Sequence, residues 1–212
     1  AAGKSVMFEG AQGVHLDVDY GTYPFVTSSN TGIGGVITGS GISHKHLGTV
    51  IGIVKAYSTR VGGGPFAVEL KDARGDALRT RGNEYGATTG RPRRCGWLDL
   101  VGVRFAARLN GVDAIALTKL DVLTGESQIP VCVGYRLDGQ PLDTVPARWE
   151  DIERLEPVWE TLPGWSEDLR HCRRFEQLPA AAQAYVRFIE DRGGVPVRWI
   201  GTGPGRDEII VR

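Results

Sequence analysis

The segment WLDLVGVRFAARLNGVDAIALTKLD (Trp97–Asp121) carries the clearest fold signal in this sequence of 212 residues. In Trp97–Asn110, apolar side chains recur at helical spacing, at Leu98, Val101, Phe105 and Leu109. Gly111 follows as a helix stop signal. The apolar run Ala114–Leu117 then predicts a buried strand that ends in Thr118-Lys119-Leu120-Asp121. A helix followed directly by a buried strand is typical of α/β folds, whose ligand loops lie at strand ends.

The same alternation of strands and helices extends in both directions from this segment. Further strands are predicted at Val6–Phe8, Ile51–Ala56, Val131–Leu137, Pro141–Val145, Val195–Ile200 and Glu208–Val211. A second helix is predicted over Pro179–Arg192, where apolar residues again fall at helical spacing, and Gly193 follows it. Asp138-Gly139 is a strong hairpin signal, whereas Glu156–Pro179 is expected to be an irregular connection.

The predicted fold class is therefore α/β, with strands alternating with helices around a central mixed or parallel sheet. Ligand loops are expected at the strand ends, together with a small antiparallel hairpin. The sequence contains no internal repeat, no low-complexity tract and no evident domain boundary.

Composition excludes several classes of function. The 25 basic and 25 acidic residues cancel, which argues against a nucleic-acid partner. No apolar run approaches the roughly 20 residues that a membrane span needs, and the N-terminus lacks the apolar region of a signal peptide. The three cysteines and four histidines form no paired or zinc-binding spacing. We expect a soluble cytoplasmic protein with reduced thiols, no metal site and no membrane partner.

The chemically richest segment is Gly86-Ala87-Thr88-Thr89-Gly90-Arg91-Pro92-Arg93-Arg94. It sets two hydroxyl groups and three guanidinium groups close together, and arginine is well suited to binding carboxylate and phosphate. An exposed basic loop is the alternative interpretation. The rigid Pro92 and the helix predicted directly after the loop favour fixed guanidinium groups and hence an anion site.

Thr118-Lys119-Leu120-Asp121 matches the element with which GTP-binding proteins recognise guanine. A carboxylate at Asp121 can accept hydrogen bonds from guanine N1–H and the exocyclic amine together. Adenine presents an acceptor at that edge, which would leave the carboxylate unpaired at a cost of about 1–3 kcal/mol. Lys119 would lie along the base. A solvated strand end remains the alternative for a motif this short.

Three further segments are weaker candidates. Gln12, within Glu9–Gly13, can both donate and accept hydrogen bonds at a purine edge, or it can simply occupy a turn. The hydroxyl-rich loop Thr27–Thr31 suits a phosphate but is also common in turns. Ala1–Ser5 is similar to the end of a phosphate-binding P-loop, yet it lacks the required upstream glycine and precedes a predicted strand.

Several longer blocks follow one another along the chain, namely FEGAQG (Phe8–Gly13), TYPFVTSSN (Thr22–Asn30), KAYSTRVGGGPF (Lys55–Phe66), GNEYGATTGRPRR (Gly82–Arg94), TKLD (Thr118–Asp121) and TGP (Thr202–Pro204). Taken together and in this order, they resemble the C-terminal half of the adenylosuccinate synthetase family. The family joins inosinate (IMP) to L-aspartate in purine biosynthesis, a step towards AMP, with GTP as co-substrate. GTP first phosphorylates the 6-oxygen of IMP, and the aspartate amine then displaces that phosphate.

The resemblance implies a role for each matching residue. Gln12 would contact the 6-oxygen as the catalytic residue, and IMP would be bound by Gln12, Thr27 and Arg91. The aspartate-binding residues would be Val61, Asn83, Ala87, Thr88, Thr89, Gly90, Arg91, Pro92 and Arg93. The GTP-binding residues would be Arg93, Lys119, Leu120, Asp121, Gly201, Thr202 and Gly203. Gly201 departs from the family pattern, which often has serine at this position.

The resemblance covers only the C-terminal portion of the family's domain. The phosphate loop, the proposed base, a histidine and the Mg²⁺ contacts belong to the family's N-terminal half and have no counterpart in residues 1–212. We therefore expect these residues in isolation to be inactive, and the intact enzyme to be a homodimer that uses Mg²⁺. The alternative is a non-catalytic nucleotide-binding or interaction module.

Overall fold

The computed structural model describes residues 3–86 and 90–212. Backbone contacts divide the chain into two units, Ala1–Thr49 and Val50–Arg212.

The N-terminal unit consists mainly of loops. Its regular elements are helix α1 (Ile33–Ser40) and two 3-10 helices, Val14–Leu16 and His44–His46. The strand predicted at Val6–Phe8 is wrong, because residues 4–8 have no regular structure and Met7 is 87% exposed. A strand needs a neighbouring strand to satisfy its backbone groups, and no part of residues 3–49 pairs with this segment.

A buried carboxylate, rather than an apolar core, organises this unit. The Asp17 carboxylate accepts hydrogen bonds from the backbone N–H groups of Asp19 at 2.9 Å, Tyr20 at 3.1 Å, Thr31 at 2.6 Å and Gly32 at 3.3 Å. Desolvation of this carboxyl would raise its pKa, but the four N–H donors outweigh it and the pKa is lowered. Asp17 thereby ties the first loop to the segment that precedes α1.

The C-terminal unit contains all the strands of the described chain. They are β1 (Ile51–Lys55), β2 (Ser58–Arg60), β3 (Arg94–Gly96), β4 (Leu98–Asp99), β5 (Ala114–Thr118), β6 (Gln128–Leu137), β7 (Gln140–Leu142), β8 (Glu156–Pro163), β9 (Val197–Gly201) and β10 (Ile209–Val211). The helices are α2 (Ala73–Arg81), α3 (Leu100–Asn110), α4 (Trp149–Glu153) and α5 (Ala180–Gly193), with 3-10 helices at Leu120–Leu123 and Phe175–Gln177.

The central sheet has the strand order β1-β5-β9-β10 and confirms the predicted mixed α/β fold. β1, β5 and β9 are mutually parallel, whereas β10 runs antiparallel to β9. Lys55 pairs with Thr118, and Leu117 pairs with Ile200, so all three parallel strands end at the same level. Their carboxyl ends therefore share one edge, which is where α/β sheets bind ligands.

A second sheet is built around β6. β4 pairs with β6 in parallel, and β7 and β8 pair with it antiparallel. Asp138 and Gly139 both have positive φ, 52° and 78°, which fits the predicted tight hairpin between β6 and β7. The irregular connection predicted from Glu156 is wrong at its start, because β8 pairs with β6 along its length. Half-buried and exposed positions alternate from Val158 to Pro163, but Trp159 takes an exposed position and Glu160 a half-buried one. The sequence therefore shows no alternation of apolar and polar residues and carried no strand signal.

Helix α3 begins three residues later than predicted. The Asp99 carboxylate accepts hydrogen bonds from the N–H groups of Val101 at 3.1 Å and Gly102 at 3.2 Å, which makes Asp99 the N-cap. Leu98 and Asp99 are consequently drawn into β4. At the other end, Gly111 adopts the left-handed conformation that closes the helix, as predicted.

The main hydrophobic core packs the central sheet against α5 and the segments around it. Tyr185 of α5 is fully buried, and its ring meets Trp165 edge-on with 5.9 Å between centroids. Its hydroxyl donates a 2.6 Å hydrogen bond to the carbonyl oxygen of Ala56, the residue directly after β1. The core therefore fixes the backbone at the carboxyl end of β1.

Tyr185→Phe tests this anchor. Losing the donor to a buried carbonyl should reduce the free energy of unfolding by about 1–2 kcal/mol. Chemical denaturation measures the change, with Tyr20→Phe as the matched control because Tyr20 is 58% exposed. Equal stability of the two variants would contradict the assigned role of the hydroxyl.

Candidate functional site

Two of the segments predicted to bind nucleotide lie side by side at the carboxyl edge of the central sheet. Thr118–Asp121 continues β5, and Gly201–Gly203 continues β9, its parallel neighbour. A Cβ atom placed on Gly201 would lie only 3.5 Å from the Cα atom of Thr118. The strand pairing thus brings together the residues predicted to contact guanine.

Asp121 lies in the 3-10 helix that follows β5, and its side chain is half-buried. Desolvation raises the pKa of its carboxyl, and Glu208 raises it further, while Lys119 and Arg170 act in the opposite direction. No salt bridge of residues 3–86 and 90–212 includes this carboxylate. A partly desolvated carboxylate of this kind is suited to accept hydrogen bonds from a ligand.

Lys119 adopts an unusual backbone conformation for a non-glycine residue, with φ 61°. Its Nζ atom donates to the carbonyl oxygen of Gly82 and lies 3.3 Å from Oε1 of Glu84. Two acceptors therefore hold the ammonium group in place.

Glu84 is the centre of the charge network and was not singled out from the sequence. Its fully buried carboxylate accepts hydrogen bonds from Tyr57 Oη at 2.6 Å, Lys55 Nζ at 2.9 Å and Arg93 Nη1 at 2.6 Å. Burial alone would raise the pKa of Glu84, but these three donors lower it to about 2. The carboxylate is therefore ionised at neutral pH and balances one of the three cations around it.

The two ends of the arginine-bearing segment, residues 84–86 and 90–93, pair with each other, and we call them the arginine hairpin. The N–H of Gly86 donates to the carbonyl oxygen of Arg91 at 2.8 Å, and Tyr85 forms an isolated bridge with Pro92. Gly90 has positive φ, 63°, and its N–H donates to the Gly86 oxygen at 2.8 Å. The predicted aspartate-binding residues Ala87, Thr88 and Thr89 lie outside the described residues. Gly90, Arg91 and Pro92 are exposed beside them.

The last arginine of this segment is fixed by the protein itself. Arg94 donates to both carboxylate oxygens of Glu69, at 2.7 and 2.6 Å, and to the carbonyl oxygen of Gly64 at 2.8 Å. Its guanidinium group also lies 5.5 Å from the centroid of the Phe66 ring. This set of contacts gives Arg94 a structural role, in keeping with its absence from the predicted ligand contacts.

Val61 and Asn83, the other predicted aspartate contacts, lie in turns that flank this region. Val61 follows β2 and is 44% exposed, and Asn83 follows α2 with a positive φ of 47°. Gly82 beside it permits a close approach, because a Cβ atom there would lie 2.1 Å from the Tyr57 hydroxyl. The tyrosine reaches Glu84 only because position 82 has no side chain.

The turn after β9 is fixed by backbone contacts. Thr202 is fully buried, and its N–H donates to the carbonyl oxygen of Glu208 at 2.8 Å. A Cβ atom on Gly203 would lie 2.4 Å from Oε2 of Glu208, whereas one on Gly201 would make only ordinary contacts. A side chain at 203 would therefore have to displace the carboxylate end of Glu208, whereas the fold leaves room for serine at 201.

The remaining predicted residues, Gln12 and Thr27, belong to the N-terminal unit. Gln12 is exposed and has φ 70°. The N–H of Thr27 donates to the carbonyl oxygen of Leu16 at 2.8 Å, which fixes the start of the hydroxyl-rich loop.

Backbone strain offers an independent indication of the site. Four non-glycine residues of the described chain have positive φ, and three of them, Gln12, Asn83 and Lys119, are predicted ligand contacts. The fourth is the hairpin residue Asp138. Such conformations cost about 1–3 kcal/mol each and concentrate at functional sites.

Residues 3–86 and 90–212 contain no group of three or more His, Cys, Asp or Glu side chains arranged to hold a metal ion. Across the same residues, every helix is too short or too polar to cross a membrane.

The chain is similar to known proteins over nearly its whole length. The family model described as adenylosuccinate synthetase matches residues 1–210. The chain is 55% identical over 210 residues to the adenylosuccinate synthetase of Pelobacter propionicus, covering 99% of this chain and 49% of that protein. It is 56% identical over 207 residues to the Streptomyces coelicolor adenylosuccinate synthetase, covering 98% of this chain and 48% of that protein.

Among solved structures, the fully ligated adenylosuccinate synthetase from Plasmodium falciparum is similar, with a TM-score of 0.94 and 48% identity. The match covers 96% of this chain and 49% of that one, and the chain spans about half the length of the curated relatives it matches. A family match over nearly every residue, together with this shared fold, shows that the chain belongs to the adenylosuccinate synthetase family.

Proposed function

We propose that the protein joins IMP and L-aspartate to give adenylosuccinate, a carbon–nitrogen ligation in purine biosynthesis that uses GTP. In this proposal residues 1–212 form the C-terminal portion of the synthetase domain, and the phosphate-binding loop belongs to the N-terminal portion. The main observation that supports this proposal is the set of charged groups at the carboxyl edge of the central sheet. There the half-buried Asp121 and the strained Lys119 lie beside Glu84, which also binds Arg93 of the arginine hairpin.

Guanine recognition is assigned to the ends of β5 and β9. The Asp121 carboxylate accepts hydrogen bonds from guanine N1–H and the exocyclic amine, and the stem of Lys119 covers one face of the base. Leu120, together with Gly201, Thr202 and Gly203, supplies the backbone surface against which the base packs. Arg93 is directed to the phosphates or ribose of GTP, where positive charge stabilises a transferring phosphoryl group.

IMP and aspartate are assigned to the remaining residues. Gln12 contacts the 6-oxygen of IMP, and Thr27 and Arg91 bind its phosphate and sugar side. The aspartate contacts are assigned to Val61, Asn83 and residues 87–93, whose hydroxyl and guanidinium groups match its two carboxylates.

The reaction then proceeds in two steps. A base that this proposal places in the N-terminal portion takes the N1 proton of IMP. The 6-oxygen then attacks the γ-phosphorus of GTP, and the bond to the GDP oxygen breaks to release GDP. The aspartate amine next attacks C6 of the 6-phosphoryl-IMP intermediate. The C6–O bond breaks, phosphate leaves with the former 6-oxygen, and the amine loses its proton. Arg93 stabilises the negative charge in the first step, and Arg91 orients aspartate for the second.

Mg²⁺ accompanies GTP in this family, but residues 3–86 and 90–212 provide no cluster that fits it. Glu84 is already surrounded by three cations, and Asp121 is assigned to guanine. We therefore place the Mg²⁺ ligands in the N-terminal portion and derive no step through the metal.

The same resemblance supports a homodimeric, cytoplasmic enzyme. All three cysteines, Cys95, Cys132 and Cys172, are buried free thiols, which suits a reducing compartment.

Asp121→Asn should change the choice of nucleotide. The variant presents an amide donor to a donor of guanine, whereas xanthine has a carbonyl in place of the guanine amine and can accept from that amide. Selectivity for GTP over XTP should fall roughly ten- to hundredfold, as expected for about 1–3 kcal/mol per unpaired buried group. The ratio of the kcat/KM values for GTP and XTP measures this change. It is determined in a protein that contains both the N-terminal and the C-terminal portion of the synthetase domain, called here the native-length protein. Asp143→Asn, at an exposed aspartate outside the site, is the control, and an unchanged ratio in folded Asp121→Asn would refute the guanine assignment.

Arg91→Leu should change the kinetic constants, whereas Arg94→Ala should mainly change thermal stability. Arg91→Leu should raise the KM of IMP, of aspartate or of both by about tenfold or more, and lower kcat, because it removes a charge-assisted contact. Arg94→Ala breaks the pair with Glu69, so it should mainly lower the melting temperature. Steady-state kinetics and thermal melts of both variants separate the two roles. Similar kinetic constants for the two would remove Arg91 from the site.

The 212 residues alone should not form adenylosuccinate with IMP, GTP, Mg²⁺ and aspartate, whereas the native-length protein should. Addition of a separately expressed N-terminal half should restore turnover, monitored by the absorbance of adenylosuccinate. GTP binding without turnover in both the native-length and the complemented protein would instead favour the non-catalytic nucleotide-binding module. Turnover by the isolated chain would require new catalytic assignments.

A further inference from the structure

We propose that Glu84 is a positioning residue for GTP, which holds Lys119 and Arg93 so that the guanine-reading end of β5 and the arginine hairpin act together. This inference rests on the proposed function, because both cations are assigned there to GTP.

The geometry joins three segments at one carboxylate. Lys55 ends β1, Lys119 directly follows β5, and Arg93 directly precedes β3. Their nitrogen atoms lie 2.9, 3.3 and 2.6 Å, respectively, from carboxylate oxygens of Glu84. No two of these segments are adjacent in sequence. The contacts with Glu84 therefore fix their positions relative to one another.

The backbone of Glu84 strengthens the same link. Its carbonyl oxygen accepts a 2.9 Å hydrogen bond from the N–H of Arg93, and its own N–H donates to the carbonyl oxygen of Arg79 at 2.9 Å. Glu84 is thus anchored to the last turn of α2 on one side and to the base of the hairpin on the other. Its side chain has little freedom to follow a displaced cation.

Glu84 does not itself contact a ligand, because it is fully buried. The three cations around it remain partly exposed, with 27% of the Lys55, 28% of the Arg93 and 33% of the Lys119 side chain accessible. Each is therefore held at one side while another side remains open to a bound molecule. A residue placed in this way acts on GTP only through its neighbours.

The charges favour an anionic ligand. One carboxylate faces three cations, so this cluster carries a net positive charge that favours negative groups such as the phosphates of GTP. Removing the Glu84 charge leaves three cations to repel one another at close range. Lys119 and Arg93 should then turn away from the positions in which they meet the nucleotide.

Glu84→Gln in the native-length protein tests the proposal by equilibrium titration with a fluorescent GTP analogue displaced by GTP, and by the KM of each substrate. We expect the Kd and KM for GTP to rise about tenfold, which corresponds to roughly one charge-assisted hydrogen bond. The KM of IMP should change less than about threefold, since its assigned contacts do not touch Glu84. Glu84→Asp, which retains the charge, should recover part of the GTP affinity.

Glu69→Gln is the matched control. It removes another carboxylate from a pair with an arginine of the same segment, but Arg94 has no assigned ligand. This variant should lose stability while its Kd for GTP stays within about twofold of the wild type, as expected for a structural pair. If Glu84 had only a structural role, Glu84→Gln would likewise lower stability and leave the Kd for GTP nearly unchanged.

A double-mutant cycle with Lys119→Ala completes the test. If Glu84 acts through Lys119, Glu84→Gln should weaken GTP binding less in the Lys119→Ala background than in the wild type. If Glu84→Gln does not fold, Glu84→Asp replaces it in every comparison, with a smaller expected rise in Kd because the shorter side chain keeps the charge but loses reach.

The proposal is overturned by an unchanged Kd for GTP in a folded Glu84 variant, or by equal rises in the constants of all three substrates. Wild-type protein that binds GTP but forms no adenylosuccinate would refute the proposed function alone, because the binding comparison would still decide the role of Glu84. Wild-type protein that does not bind GTP would refute both.

Discussion

Parallel pairing of β5 with β1 on one side and β9 on the other determines where the candidate ligand groups of the C-terminal unit lie. Because the three strands end at the same level, Lys55, Thr118 and Gly201 emerge at one edge of the sheet. The hydroxyl of Tyr185 donates a hydrogen bond to the carbonyl oxygen of Ala56, the residue after Lys55. The hydrophobic core therefore fixes the backbone at this edge of the sheet. The chemistry at this edge is therefore a consequence of strand register as much as of the residues themselves.

Electrostatics imposes the second constraint. A lone ionised carboxylate in the protein interior would be strongly destabilised by desolvation, and three clustered cations would repel one another. Glu84 and its neighbours resolve both problems together, although a buried ion pair by itself contributes little net stability. The arrangement is better understood as a way to hold charged groups in defined positions, which suits the binding of a highly charged nucleotide proposed for this edge of the sheet.

The sequence predicted the central strands, the two long helices and the Asp138-Gly139 turn, because each has strong periodicity or a specific turn signal. It failed at Val6–Phe8 and at β8, where a short apolar run or the lack of alternation carries no information about pairing. The guanine contacts predicted at Lys119, Leu120 and Asp121 come from the motif TKLD, whose residues are adjacent in sequence. Glu84 was missed because its importance lies in contacts with residues distant in the chain, which no local pattern reveals.

The left-handed residues at the site also limit how such a protein can be made more robust. Glycine would adopt the backbone angles of Gln12, Asn83 and Lys119 without the steric penalty that their side chains carry. Directed evolution for heat resistance alone would therefore tend to enrich glycine at these positions and remove the groups assigned to purine, aspartate and guanine. The left-handed backbone conformations therefore impose a trade-off between thermal stability and activity. These three positions should be kept unchanged in any library designed to raise stability.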